Sequence, residues 1–169
     1  MNLEGPAPLS TAHVVDDFVC GVEALDRWIA VRAKPNQVSG ASRTWVVLEG
    51  NRVVAFYASA TAAIVREAAP KSMRRNQPDV LPAVLLSRLA VSSEFQGRGL
   101  AAALLKHFIV KALEVSERVG VRVMLVHVKD EAISSFYEKY GFTPSPLDPL
   151  TLLHLLPASS TNSKMGMDE

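Results

Sequence analysis

The chain has 169 residues, 49% hydrophobic and 21% charged, with a net charge of +1 at neutral pH. This is an ordinary globular composition, which excludes a disordered polyelectrolyte and leaves room for one domain with a sizeable core. The net charge argues neither for nor against a nucleic-acid partner. Its distribution is uneven: Arg66, Lys71, Arg74 and Arg75 cluster with only Glu67 opposing them, and the chain ends on Asp168-Glu169. Cys20 is the only cysteine, so no intrachain disulfide can form, and a reducing compartment fits. The first residues lack a basic stretch followed by an apolar run, so no signal peptide is expected. The longest uncharged apolar run, Val53–Val65, is too short to cross a bilayer. A soluble cytoplasmic protein without a membrane partner is expected.

In chain order, Leu9–Phe18 is a candidate first strand. Val22–Lys34 has helical periodicity through Val22, Leu25, Trp28, Ile29 and Arg32, and Pro35 is expected to stop it. Arg43–Leu48 and Arg52–Thr61 are rich in Val, Phe, Tyr and Trp and flank Glu49-Gly50-Asn51, a hairpin signal. Ala62–Arg75 reads as a short helix or loop broken by Pro70, and Pro82–Val91 as a strand. Leu100–Val119 is the longest expected helix. Leu100, Leu104, Leu105, Phe108 and Ala112 share one face, and Gly120 is its expected cap. Val121–Val128 is a continuous apolar strand of the kind covered on both faces. Glu131–Tyr140 places Ile133, Phe136, Tyr137 and Tyr140 on one helical face, ended by Gly141. Thr151–Leu156 is a last strand. No internal repeat is visible. The expected architecture is α/β, a mixed sheet with helices on its faces, as one domain over residues 1–158 with a polar tail at 159–169.

The segment with the clearest chemistry follows the strand ending at Val91. Gln96-Gly97-Arg98-Gly99-Leu100-Ala101 carries two glycines into a helix start. Free first-turn amides and the helix dipole favour anionic oxygens there, so a ligand bearing a pyrophosphate is expected. No Gly-Lys-Ser/Thr follows, which excludes a P-loop. Four scattered histidines and one cysteine show no metal-ligand spacing. Glu94 and Asp79 read as solvated acids, His127 as a core histidine, and Trp28 and Trp45 as core aromatics.

Gln96–Ala101 resembles the Q/R-x-x-G-x-G/A signature of GNAT-fold N-acetyltransferases, and Phe136-Tyr137-Glu138-Lys139-Tyr140-Gly141-Phe142 resembles that family's FYxxxGF segment. A narrower resemblance covers nearly the whole chain. Phe18-Val19-Cys20-Gly21, Leu25-Asp26-Arg27-Trp28, Ser39-Gly40-Ala41-Ser42-Arg43-Thr44, Met73-Arg74-Arg75-Asn76-Gln77-Pro78, Ser87-Arg88-Leu89-Ala90-Val91, Leu125-Val126-His127-Val128 and Gly141–Leu152 are similar to bacterial GNAT toxins of the TacT/AtaT type. The resemblance departs at Ala101, in place of a second glycine. It departs also at Asp130, where many acetyltransferases carry an asparagine on the cofactor arm, and at Pro35.

The resemblance implies the GNAT acyl-CoA N-acyltransferase fold and acetyl-CoA as donor. It implies acetylation of the amino group of aminoacyl-tRNA, which blocks translation. The implied partners are a ribbon–helix–helix antitoxin, operator DNA through that antitoxin, and a second copy of the chain in a homodimer. Residues Gln96, Gly97, Arg98, Gly99, Leu100 and Ala101 would hold the pyrophosphate. Leu89, Ala90 and Val91 would pair with the pantetheine arm as with a peptide strand, and the Val91 N–H would meet the developing oxyanion. From its helix alone Tyr137 reads as a core aromatic; the resemblance makes it the general acid for the leaving thiolate. Lys71, Arg74 and Arg75, with Arg88 and Lys34, would hold acceptor-stem phosphates, and Arg88 has an internal ion pair as its alternative. No general base is evident. An α-amine of pKa ~7.7 is roughly 15% neutral at pH 7, against roughly 0.04% for lysine, so an aminoacyl ester relaxes that need. Two alternatives stand beside this reading: acetylation of a small amine or protein amino group, and a non-catalytic acyl-CoA-binding partner.

Overall fold

The structure is a computed structural model that describes residues 2–157. The expected tail at 159–169 lies outside the described residues. Among the described residues, seven strands form a mixed sheet in the order β1-β2-β3-β4-β5-β7-β6, and four helices flank it. The described residues divide into two compact units: residues 2–60 with Leu86–Ile109, and Thr61–Leu85 with residues 110–157.

In the first unit, β1 is Leu3–Pro8, not Leu9–Phe18. Gly5, Pro6 and Pro8 hide this strand from a propensity reading, yet proline is tolerated on a sheet edge, and β1 pairs only with β2 (Arg43–Glu49) in antiparallel register. Gly5 has φ +119°, and a Cβ there would lie 2.5 Å from the Val46 carbonyl, so only glycine fits. Leu9, Val15 and Phe18 still reach the core, from irregular backbone.

The helix expected over Val22–Lys34 is two helices, α1 (Glu23–Val31) and α2 (Ala33–Ser39). Pro35 does not stop a helix. It sits in the first turn of α2, where a missing N–H leaves no bond unmade. Gly40, at φ +85°, closes α2 through its N–H to the Asn36 carbonyl. Strands β2 and β3 (Arg52–Val65) form the expected hairpin, with Glu49 opposite Arg52 and Gly50-Asn51 between them. The core of this unit joins Ile29, Ala33, Val46, Leu48, Val53, Phe56 and Ala90, with Trp28 stacked on Phe56.

Ala62–Val65 continues β3 instead of joining a helix. Two short 3-10 turns follow, Arg66–Ala68 and Lys71–Met73, separated by Pro70. Strand β4 is Val80–Val91 and helix α3 is Leu100–Ser116. Leu104, Leu105, Phe108 and Ala112 are buried as the periodicity requires. The helix ends three residues before Val119, and Gly120 does not take the left-handed conformation of a cap. The Arg118 and Val119 N–H groups donate to the Val115 carbonyl instead.

In the second unit, β5 (Val123–His127) pairs antiparallel with β7 (Thr151–Leu155), which also pairs with the two-residue β6 (Thr143–Pro144). Helix α4 is Glu131–Glu138. Tyr137 is buried but Ile133 is exposed, so the apolar face is narrower than expected. Leu81, Ala83, Val123, Leu125, Leu153 and Ala69 form this unit's core.

Candidate active site

Strand β4 delivers the chain into the glycine loop. The Ser92 N–H donates to the Val54 carbonyl of β3. Successive backbone groups alternate sides of a strand, so the Val91 N–H and carbonyl face away from β3. That carbonyl accepts from Gln96 Nε2 at 2.9 Å, and the same nitrogen donates to the Cys20 carbonyl at 2.9 Å. Gln96 therefore staples the start of the loop, and with both side-chain N–H donors spent, its backbone N–H is the donor left to meet an anionic ligand. Ala90 points into the core at 5% exposure, so its contribution is also confined to backbone.

Gly97 and Gly99 have φ of +79° and +81°, and a Cβ on either would meet nothing within 4 Å. Conformation, not crowding, requires glycine here, and both positions leave open space over the backbone. The first closed turn of α3 runs from the Ala103 N–H to the Gly99 carbonyl at 3.1 Å. The amides of Leu100 and Ala101 lie within that turn and lack an intrahelical acceptor. Arg98 is exposed, with its guanidinium 4.9 Å from the centre of the buried Phe95 ring. A cation thus stands beside a row of amides at a helix start, an arrangement that fits a pyrophosphate.

Tyr137 lies in the second unit, 5% exposed, edge-on to Phe136 and Phe142. Its carbonyl accepts the N–H groups of Tyr140 and Phe142, which fixes the end of α4. Among the described residues no group hydrogen-bonds its phenol. Burial raises the phenol above its ordinary pKa, because an apolar surround disfavours the phenolate. The group is a proton donor at any physiological pH. At the other end of α4, Asp130 accepts the Ile133 N–H at 3.2 Å. Its carboxylate serves as the helix cap.

An acetyltransferase (GNAT) domain family matches residues 40–144. The chain is 40% identical over 151 residues to the tRNA-acetylating toxin of Mycobacterium tuberculosis (strain ATCC 25618 / H37Rv), covering 89% of this chain and 91% of that protein. The chain belongs to the GNAT acetyltransferase family. Two solved structures share the fold. AtaT complexed with acetyl-methionyl-tRNAfMet superposes with a TM-score of 0.83 at 24% identity, over 99% of each chain. A tyrosine-to-phenylalanine mutant of KacT superposes with a TM-score of 0.81 at 22% identity, over 98% of each. As a GNAT enzyme the protein is an N-acetyltransferase with acetyl-CoA as donor.

The basic residues of this GNAT chain separate into fixed and available groups. Lys34 donates to the Thr11 and His13 carbonyls at 3.0 and 2.6 Å. Arg88 lies 5.2 Å from the Trp28 ring centre and donates to the Ser87 carbonyl. Arg88 thus has an internal engagement, though with an aromatic ring and a carbonyl and not with an acid. In the other unit Arg74 donates to the Ala69 and Glu67 carbonyls at 2.7 and 3.0 Å, and Arg66 pairs with Asp79 at 3.0 Å. These bonds shape the 66–79 loop and leave Lys71 and Arg75 exposed on it.

His127 departs from its sequence reading. It is exposed at the end of β5, not packed in the core. Its Nδ1 lies 3.0 Å from Thr151 Oγ1, and that hydroxyl donates to Asp148 Oδ2 at 2.9 Å. Thr151 and Asp148 carried no signal in the sequence, because the contact is made only by the β5–β7 pairing. Among the described residues no group of three or more His, Cys, Asp or Glu could hold a metal ion, and no helix is long and apolar enough to cross a membrane.

Proposed function

We propose that this enzyme transfers acetyl from acetyl-CoA to the α-amino group of aminoacyl-tRNA and so blocks translation. The observation that carries the reading is the 40% identity, across 89% of the chain, to a tRNA-acetylating toxin. The amides and Arg98 of the Gln96–Ala101 loop hold the pyrophosphate. The Val91 N–H, on the strand edge away from β3, serves the pantetheine arm and the developing oxyanion. Tyr137, kept neutral by burial, protonates the leaving thiolate. Lys71 and Arg75 take acceptor-stem phosphates. Arg74, Arg88 and Lys34 support their own segments instead.

The solved neighbours include AtaT bound to the C-terminus of the antitoxin AtaR and a KacTA–DNA complex. These complexes support a toxin neutralised by an antitoxin that also contacts DNA, and we infer further that the protein is cytoplasmic and homodimeric, that the antitoxin is of the ribbon–helix–helix type and that the DNA is its operator. Radiolabelled acetyl-CoA incubated with a charged total tRNA pool tests the reading. Deacylated tRNA and a lysine-rich protein serve as controls. Label on charged tRNA alone is expected; label on the protein control alone overturns it.

A further inference from the structure

The Asp148–Thr151–His127 chain fixes a proton. Asp148 accepts the Leu150 N–H at Oδ1, 3.0 Å, and the Thr151 hydroxyl at Oδ2. The backbone N–H first, and the hydroxyl second, hold its carboxyl below the usual range, so at neutral pH it only accepts. The single hydroxyl hydrogen of Thr151 is therefore committed to Asp148, and its oxygen accepts from His127. Nδ1 carries the ring hydrogen, which leaves the lone pair on Nε2. Thr151 is 5% exposed while the ring is exposed. The imidazole is thus held from the buried side, with an accessible side left for its basic nitrogen.

Its face is also defined. Val123, Leu125 and His127 alternate onto one side of β5. Ala69 and Met73 of the 66–79 loop pack with Val123 and Leu125. His127 shares this face with the loop that displays Lys71 and Arg75. A polyanion gripped by that loop would be held on the face that carries the imidazole.

We propose that His127 Nε2 takes the proton from the acceptor ammonium, and that Thr151 and Asp148 are positioning residues that fix its tautomer. The proposal rests on the reading that the acceptor is an α-amine. The ammonium gives one proton to Nε2, and the neutral amine attacks the thioester carbonyl. The C–N bond forms, the C–S bond breaks, and Tyr137 protonates the thiolate. The second proton on nitrogen returns to the Tyr137 oxygen, and His127 releases its own to solvent. The charged groups that bear on the ring are Asp148, reached through Thr151, Lys71 and Arg75 of the loop on the same face, and two residues of its own segment. Lys129 is exposed, and the Asp130 carboxylate is turned to the Ile133 N–H.

The test is the pH profile of acetyl transfer by the full chain and by His127→Ala, Thr151→Val and Asp148→Asn. Charged tRNA and methionine methyl ester are the two acceptors. The benefit of a base is bounded by the fraction of amine already neutral. His127→Ala is therefore expected to lose on the order of tenfold at pH 6.5 and under twofold at pH 8.5. Added imidazole is expected to restore the loss at pH 6.5, with the KM for acetyl-CoA unchanged. The two positioning variants are expected to show the same pH dependence at a smaller amplitude. A loss equal at both pH values and unaffected by imidazole, or no loss at pH 6.5, overturns the proposal. Wild-type transfer to the ester but not to charged tRNA removes the tRNA reading alone, and His127 is then decided on the ester. A wild type inactive on both overturns both.

Discussion

Gln96 and Cys20, 76 residues apart in sequence, are joined by one hydrogen bond of 2.9 Å from the glutamine amide to the cysteine carbonyl. The same amide nitrogen holds the Val91 carbonyl. One side chain thereby ties the end of β4 and the 19–21 segment to the mouth of the glycine loop.

Gln96→Glu replaces this donor with a carboxylate facing two carbonyl oxygens. It is expected to raise the acetyl-CoA Kd about tenfold, with a stability loss of about 1 kcal/mol. Titration calorimetry and thermal unfolding read the two effects. An unchanged Kd would show that the loop holds its shape without the staple.

Gly97→Ala and Gly141→Ala separate conformation from crowding. Gly97 has φ +79° with open space about a Cβ; Gly141 has φ +94°, and its Cβ would lie 2.8 Å from His154 Nε2. His154 cannot retreat freely, since its ring packs edge-on against Phe142. The expected costs are about 1 kcal/mol for Gly97→Ala and roughly 2–3 kcal/mol for Gly141→Ala. Chemical denaturation measures both. Only the first is expected to weaken acetyl-CoA binding.

Tyr137→Phe is expected to retain fold and acetyl-CoA affinity while transfer falls at least about 100-fold. The variant also has a stability signature. Burial raises the phenol in the folded state, so the folded chain keeps that proton after the unfolded chain loses it near pH 10. Stability from the neutral phenol is complete below that pH and declines as pH rises above it. Denaturant midpoints between pH 9 and 11 are expected to fall less steeply in Tyr137→Phe than in the wild type.

Arg74 and Arg75 are neighbours in sequence with opposite expected behaviour. Arg74→Ala breaks two bonds to loop carbonyls and is expected to lower thermal stability. Arg75→Ala and Lys71→Ala are expected to leave stability within about 0.5 kcal/mol. Each is expected to weaken tRNA binding and reduce the slope of log K against log salt by about one. Filter binding across a salt series distinguishes them. Equal slopes for wild type and Arg75→Ala would place the tRNA elsewhere.

Local signals carried much of this fold. The Glu49–Arg52 hairpin, the run from β4 through the glycine loop into α3, and the α4 segment before Gly141 each announce themselves within a dozen residues. Strand β1 did not, because Gly5, Pro6 and Pro8 contradict strand propensity and are tolerated only by its edge position. The split between α1 and α2 was hidden because a proline in a first turn looks the same in sequence as one that ends a helix. At the site, residue types were legible and their commitments were not. Lys34 and Arg74 read as cations available to phosphate until Thr11 and Ala69 were brought to them, and the internal partner that was the alternative for Arg88 is the Trp28 ring, not an acid. His127 read as core until its β7 neighbour made it one end of a polar chain.

Through Gln96, Cys20 lies close to Val91, the proposed seat of the thioester carbonyl, and a second sulfur nucleophile there could divert the acyl group by thioester exchange. Only a thiolate exchanges efficiently. Burial, reinforced by the Asp26 carboxylate, pushes the Cys20 thiol up to about 11, so roughly one molecule in ten thousand is ionised at pH 7. The sole sulfhydryl of the chain can therefore hold its carbonyl against Gln96 without becoming an acyl acceptor itself.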